Sequence, residues 1–178
     1  LLPDKFTANN RVQAIQGMYV PFWLFNSDIS ASGVYKAEND MVVTTPNEII
    51  TTTSVYRCER SGSMRFERIP VDGSKKMDDS YMESIEPFDY SELVPFSSAY
   101  LSGFLADKYD VDAEAAVARA DERVCRSAEG CLENTVTGYM RSRQMEPCAV
   151  FKENGAVQYA MVPVWILTTQ YEGKPYTF

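Results

Sequence analysis

Tyr159-Ala-Met-Val-Pro-Val-Trp-Ile-Leu167 is the stretch on which the fold turns, because Tyr19-Val-Pro-Phe-Trp-Leu-Phe25 repeats its Val-Pro-x-Trp-aliphatic order near the other end. Both segments are rich in β-branched and aromatic residues, and between them they hold the two tryptophans, Trp23 and Trp165. Each therefore reads as a strand, with proline tolerated near a strand start or at an edge. The plainest physical account is two strands of related geometry in one sheet, with both tryptophans anchoring the core and the rest of the chain packed on top.

Working outward, Thr7 to Gln16 carries Val12 and Ile15 at helical spacing and ends at Gly17, which predicts a short leading helix. Strands are predicted over Tyr19 to Ile29, Val34 to Thr45, Ile49 to Glu59 and Met64 to Val71. The turns between them fall at Ser32-Gly33, Pro46-Asn47 and Ser61-Gly62-Ser63. Such short intervals describe an antiparallel meander, with Thr44, Thr45, Thr51, Thr52 and Thr53 on a solvated face or exposed edge.

After Pro70-Val71-Asp72-Gly73 the composition turns helical. A helix is predicted over Ser80 to Ile85, capped by Asp78 or Asp79. A second, with Tyr100, Leu101, Phe104 and Leu105 on a buried stripe, is capped by Ser97 or Ser98. The longest runs from about Val111 to Val136, with Ala113, Val117, Ala120, Val124, Ala128, Cys131 and Thr135 as its inner stripe. Arg119, Glu122, Arg123, Arg126 and Glu129 form its wet face. Strand character returns from Gly138 to Phe151. Glu153-Asn154-Gly155 is predicted as a hairpin turn into Val157 to Gln170, and Glu172-Gly173-Lys174 as another into Pro175 to Phe178. The class is α+β, an antiparallel meander and hairpins with helices grouped between, in a single domain over residues 1–178.

The 178 residues carry 45% hydrophobic side chains and a net charge of −8, with a pI near 4.6, which repels phosphate backbones on average. No apolar run approaches the roughly 20 residues that span a bilayer, and no signal peptide is recognisable. The reading expects no membrane partner and a cytoplasmic location. Leu1-Leu2-Pro3 lacks an initiator methionine and Phe178 stops within a strand pattern, so the chain is expected to be a piece of a longer protein.

Cys58, Cys125, Cys131 and Cys148 lack the two-to-four-residue pairing of a metal site. Cys125 and Cys131 lie about 9 Å apart along a predicted helix, too far for a disulfide, so free thiols of a reducing compartment are expected, with one long-range disulfide as the alternative. Histidine is absent, which removes the Ser-His and Cys-His dyads. Asp72-Gly73-Ser74-Lys75-Lys76 lacks the spacing of a phosphate loop and reads as a tight turn. Asp107, Asp110, Asp112 and Glu114 lack the glycine and glutamate of a calcium loop; they read as caps of the long helix. Glu83, Glu86, Asp89 and Glu92 read as surface carboxylates around Pro87.

Two constellations remain as candidate sites. Arg57, Arg60, Arg65 and Arg68, with Tyr56 and Phe66 interleaved, could bind an anion or single-stranded nucleic acid. Glu59 and Glu67 among them favour cross-strand ion pairs. Tyr19, Phe22, Trp23, Phe25, Tyr159 and Trp165 form either an aromatic core or a pocket lining.

Several blocks resemble a family of bacterial zinc-ribbon proteins of unknown function. They are Leu2-Pro3-Asp4-Lys5-Phe6, Gly17 to Phe25, Pro70 to Met77, Met82 to Asp89, Leu105 to Ala115, Pro163-Val164-Trp165 and Gly173 to Phe178. The resemblance covers nearly the whole chain. It implies an N-terminal cysteine ribbon followed by this domain, with zinc expected only in that ribbon and no cofactor in this chain. Helicase-like and primosomal-protein-like names in the family follow from the ribbon, and neither helicase activity nor a zinc ligand carries over to these residues. The expected function is a non-catalytic interaction or ligand-binding domain with a protein partner. The alternative is a nucleic-acid-associated domain acting with the ribbon.

Overall fold

A computed structural model describes residues 12–76, 82, 85–171 and 174–177. Three long strands dominate: β1 (Val12–Thr44), β2 (Ile49–Asp72) and β5 (Ala149–Tyr171). With β6 (Lys174–Thr177) they lie in the order β2-β1-β5-β6, while β3 (Leu105–Ala106) and β4 (Arg141–Gln144) also pair with β1. The β3 pairing is parallel, Met18 with Leu105 and Tyr19 with Ala106. The β4 pairing is antiparallel, from Tyr35 with Gln144 to Glu38 with Arg141. One long helix, α1 (Ala113–Glu133), completes the list of long elements among the described residues. The class is thus α+β in a coarse sense, a mixed sheet with one long helix, and the expected grouping of helices is not evident.

Where the structure departs from the meander, it merges strands. Ser32-Gly33, Ser61-Gly62-Ser63 and Glu153-Asn154-Gly155, turns by their sequence, all lie inside β1, β2 and β5. Two of the glycines serve close approach instead of chain reversal. A Cβ on Gly33 would meet Cys148 Sγ at 2.7 Å, and one on Gly155 would meet Asn26 Cβ at 3.1 Å. Of the turns predicted in the meander, Pro46-Asn47 is the one that reverses the chain, closed by Thr45 N–H on the Glu48 carbonyl at 2.8 Å, and the antiparallel pairing of Tyr171 with Lys174 agrees with the last predicted hairpin.

The resulting hairpin is not perfectly regular. From the Ser30–Ser63 contact to the Gly73 N–H bond on the Pro21 carbonyl there are nine steps along β1 (30 to 21) and ten along β2 (63 to 73). One extra residue in β2 is the mark of a β-bulge, and Arg68 supplies it with a φ of 57°. The side-chain carbonyl of Asn26 accepts the Arg68 N–H at 2.8 Å, satisfying the donor there. At the other end of this hairpin Met41, Val42, Val43, Ile49, Ile50 and Val55 are exposed.

The chain forms two compact units, one within residues 1–24, 70–117 and 157–178 and the other within 25–69 and 118–156. In the second unit Ile29, Ala31, Tyr35 and Ala37 alternate along β1 and bury against Val124, Ala128 and Leu132 of α1. The helix matches its predicted range but not its whole predicted stripe. Ala116, Ala120, Val124, Ala128 and Leu132 are buried, whereas Cys131 and Thr135 are exposed. Steps of four carry the bulky Leu132 inward, and the small alanines let the helix sit close to the strands. Asp112 caps it by accepting the Ala115 N–H at 2.8 Å.

In the first unit the even-numbered residues Val20, Phe22 and Leu24 of β1 pack with Ala160, Val162 and Val164 of β5 and with Met82. Val12 to Gln16 is strand, not the leading helix; residues 7–11 lie outside the described residues. The helix predicted after Ser97 shrinks to a 3-10 turn, Ser98–Leu101, with none of its residues buried. Of the helix predicted over Ser80 to Ile85, most lies outside the described residues.

Candidate functional site

The residues 85–101 are what create a site in the first unit. Asp89 caps a single 3-10 turn (Tyr90–Glu92), accepting the Ser91 N–H at 2.9 Å, and Ser97 caps the next, accepting the Ala99 N–H at 3.4 Å. Pro95 separates the two, and Gly103, with φ of 84°, follows the second. Neither turn is long enough to present an amphipathic face. The segment hangs on the core through Phe88, edge-on to Phe22 at 5.8 Å between centroids. Its later residues stay outside, with Val94 61%, Phe96 67% and Tyr100 50% exposed.

Between this segment and residues 158–163 of β5 lies a cleft of about 610 Å³. Phe88, Leu93, Val94, Phe96, Tyr100 and Leu101 supply one side. The other is β5 itself, with Tyr159, Met161 and Pro163 from one face of the strand and Ala160 and Val162 from the opposite face. A cavity that touches both faces of a strand wraps the strand's edge. That edge is open: β5 has β1 on one side, and on the other β6 pairs only with residues 168–171 among the described residues. Asp89 and Glu92 are the carboxylates of the lining, and no Lys or Arg among the described residues lines it.

The odd-numbered face of β1 holds an aromatic cluster beside the cleft. Trp23 lies 5.2 Å from Tyr109 and 5.0 Å from Tyr159 between ring centroids, and its Nε1–H donates to the Val111 carbonyl at 2.8 Å. Burial, with the neighbouring Tyr109 and Asp107, raises the Tyr159 phenol above its ordinary value of 10.0. Farther along, Tyr19 meets Phe104 at 5.2 Å and Phe104 meets Trp165 at 5.4 Å.

The predicted aromatic set therefore divides. Tyr19 and Tyr159 line the cleft, Trp23 supports Tyr159 from behind, and Phe22 and Phe25 are buried. Trp165 is 66% exposed, so it covers Phe104 and does not anchor the core as expected. An edge strand leaves that face wet.

The Asp72-Gly73-Ser74-Lys75-Lys76 turn is a latch for the aromatic cluster. Gly73 donates to the Pro21 carbonyl, and its own carbonyl accepts the Asp110 and Val111 N–H groups at 3.0 Å each. Asp110 accepts the Lys75 N–H at 2.8 Å. Asp107 accepts the Ser74 hydroxyl at 3.0 Å and pairs with Lys76, while its N–H donates to the Tyr19 carbonyl at 3.0 Å. Burial alone would raise the Asp107 carboxyl, but the bonds from Lys76 and Ser74 outweigh it and hold the pKa below its ordinary 3.8. Asp107 and Asp110 thus hold the Gly73 turn and do not cap the long helix as expected; Asp112 does that.

The four arginines all sit on β2 in the second unit and are not gathered into one patch. Arg57 pairs with Glu59 at 3.1 Å and Arg65 with Glu67 at 3.1 Å, each along the same strand, and Arg65 also reaches Asp28 at 3.8 Å. Arg60 points to the other face, where it bonds the Thr135 carbonyl at 3.4 Å and the Glu59 carbonyl at 2.9 Å. Arg68 is the bulge residue. Arg57 and Arg65, eight residues apart, stand roughly 27 Å from each other along an extended strand. The cysteines are free thiols, and buried Cys58 and half-buried Cys148 lie in the second unit. Cys148 Sγ sits 3.6 Å from the buried Tyr35 hydroxyl, whose pKa is raised by burial and by that thiol.

Sequence reasoning missed the cleft wall itself, Leu93, Val94, Phe96, Tyr100 and Leu101. The available signal was the pair Pro87 and Pro95, which breaks helix on both sides of Leu93 and strands apolar residues in irregular backbone.

A protein of Bacillus subtilis (strain 168), Uncharacterized protein YdjG, is 32% identical to this chain over 184 aligned positions. The match covers 100% of this chain and 52% of that protein, so the chain spans about half the length of the curated relative it matches. The chain is similar to a bacterial protein without an assigned activity. No family model matches it, and no solved structure matches it. No helix among the described residues is long and apolar enough to cross a membrane.

Proposed function

We propose that this chain is a non-catalytic binding domain of a longer bacterial protein, and that the cleft between residues 88–101 and β5 takes its ligand. The observation that carries this is the cleft's make-up. Its volume of about 610 Å³ is within the range of known ligand sites, roughly 300 to 1,000 Å³, and its walls are aliphatic and aromatic. The absence of histidine from the chain agrees with binding as its task, since the commonest general base is not available. The resemblance adds a zinc ribbon ahead of this domain in the longer protein, and the sequence reading adds a cytoplasmic location and a protein partner to the same proposal.

The test is titration with Nile red, a neutral dye that brightens in apolar sites. Saturable brightening is expected, weakened by at least about tenfold in V94K or F96K, exposed positions where lysine places a charge at the cleft. Dye binding that neither variant alters would overturn the assignment of the cleft.

The alternative proposal, a nucleic-acid-associated domain acting with the ribbon, draws its support from the arginines of β2. Their pairing with Glu59 and Glu67 and their division between two faces leave the binding-domain reading better supported. Salt-sensitive binding of single-stranded DNA that is lost in R57E/R65E would reverse that order.

A further inference from the structure

We infer that the cleft's ligand is an extended peptide segment with apolar side chains and lysine or arginine at its ends, added to the sheet as a strand along residues 158–163 of β5. The inference rests on the binding-domain reading and specifies its ligand. Three observations point the same way. The first is that the cleft follows a strand edge with no strand pairing among the described residues, so its floor is a row of backbone donors and acceptors. A compact apolar molecule would fill the walls but leave that row without partners, whereas a peptide in β conformation satisfies both.

The second observation concerns the side chains. Successive residues of an added strand point alternately to the two faces of the sheet. On one face they meet Tyr159 and Met161, and on the other Leu93, Ala160 and Val162, all predominantly apolar. Apolar residues at consecutive positions of the peptide therefore find an apolar wall on either side. Pro163 lacks an N–H, and a residue of that kind is tolerated at the free edge of a sheet, where it limits the ladder to the residues before it.

Charge supplies the third. Asp89 and Glu92 are the charged lining residues among the described residues, and the chain carries −8 overall. A cationic segment is attracted to that rim, and an acidic one, or a second copy of this chain, is repelled.

The test uses fluorescence anisotropy of labelled Lys-Val-Phe-Ile-Val-Lys with the full chain. Three competitors accompany it: the same peptide with glutamate at both ends, and two forms N-methylated at alternate residues. The parent should bind and displace Nile red. One N-methylated form should bind at least about tenfold more weakly than the parent, because its blocked amides are those that face β5, while the other form is affected less. The glutamate form should bind several-fold more weakly at low salt, with the gap narrowing as salt rises and in E92K.

Equal binding by the parent and both N-methylated forms would overturn strand addition, with Nile red binding still upholding the cleft as a ligand site. Nile red binding that no peptide displaces would likewise overturn the peptide and spare the cleft. Failure of both dye and peptide would remove the binding-domain reading itself. A dimer that buries the cleft and persists in excess peptide would replace the peptide with a second copy.

Discussion

Val20-Pro21-Phe22-Trp23 and Val162-Pro163-Val164-Trp165 have almost the same sequence and adjacent strands, yet opposite fates. In β1 the proline is buried and the tryptophan is half-buried, with its Nε1–H held by the Val111 carbonyl. In β5 the proline is exposed and the tryptophan is 66% exposed. The even-numbered residues behave alike in both, Val20 and Phe22 against Val162 and Val164, all buried on the same face. What separates the copies is the other face. Residues 104–111 and the Gly73 latch cover β1 there, while β5 runs along the border of the sheet. A motif fixes which side of a strand is apolar, and position in the sheet decides whether the second side is covered.

The largest effect should come from the shared inner face. Phe22→Ala removes a fully buried ring and should destabilise by about 3 to 5 kcal/mol, whereas Val164→Ala, at the matching position, should cost about 2. Urea unfolding of the two variants measures the difference. Equal losses would mean that the edge strand is packed as tightly as the central one. Gly17→Ala comes next. A Cβ there would lie 2.4 Å from the Phe104 ring, which must move, so a loss of about 1 to 3 kcal/mol is expected. Because Phe104 stacks on Trp165, the same substitution should change Trp165 fluorescence and leave that of Trp23 alone.

Much of this contrast was out of reach of the sequence, for local physical reasons. The two Val-Pro-x-Trp strands, the Pro46-Asn47 turn and the helix from Ala113, with its Asp112 cap, were legible because each has a short-range signature. Gly33 and Gly155 misled because glycine marks turns and close strand contacts alike, and only the partner strand distinguishes them. At residues 97–105 the i, i+3, i+4 pattern suggested a buried helix. Pro95 and Gly103 leave too few residues between them to nucleate one, so the same apolar side chains became the wall of a cleft. Tyr19 and Tyr159 were legible as candidates, but the free β5 edge between them and residues 88–101 depends on strand order, which local periodicity does not encode.

The tryptophans give a direct reading of the two environments. Trp23→Phe leaves the Val111 carbonyl without this donor and should cost about 1 to 2 kcal/mol, while Trp165→Phe should stay within about 0.5 kcal/mol. In the first variant the remaining Trp165 should emit at longer wavelength and be readily quenched by acrylamide; in the second the remaining Trp23 should be bluer and protected. Matching spectra would erase the distinction between covered and bordering strands.

The smallest effect tests what keeps β1 covered. Asp107 joins the latch to the strand through its N–H on Tyr19 and its carboxylate on Lys76 and Ser74. Its folded pKa lies below the ordinary 3.8, so its ionised form adds stability that is fully present above about pH 3.8 and is lost as pH falls through the folded value. Asp107→Asn should accordingly be slightly less stable than the parent at neutral pH and lose less on acidification, with the two curves converging below that range. The latch also positions Val111, the partner of Trp23, through the Gly73 carbonyl. Acid should therefore expose Trp23 before it alters the already exposed Trp165, and in Asp107→Asn that order should disappear. Simultaneous change of both tryptophans in the parent would place the cover of β1 in the aromatic contacts of Tyr109 and Phe104 and not in the charged latch.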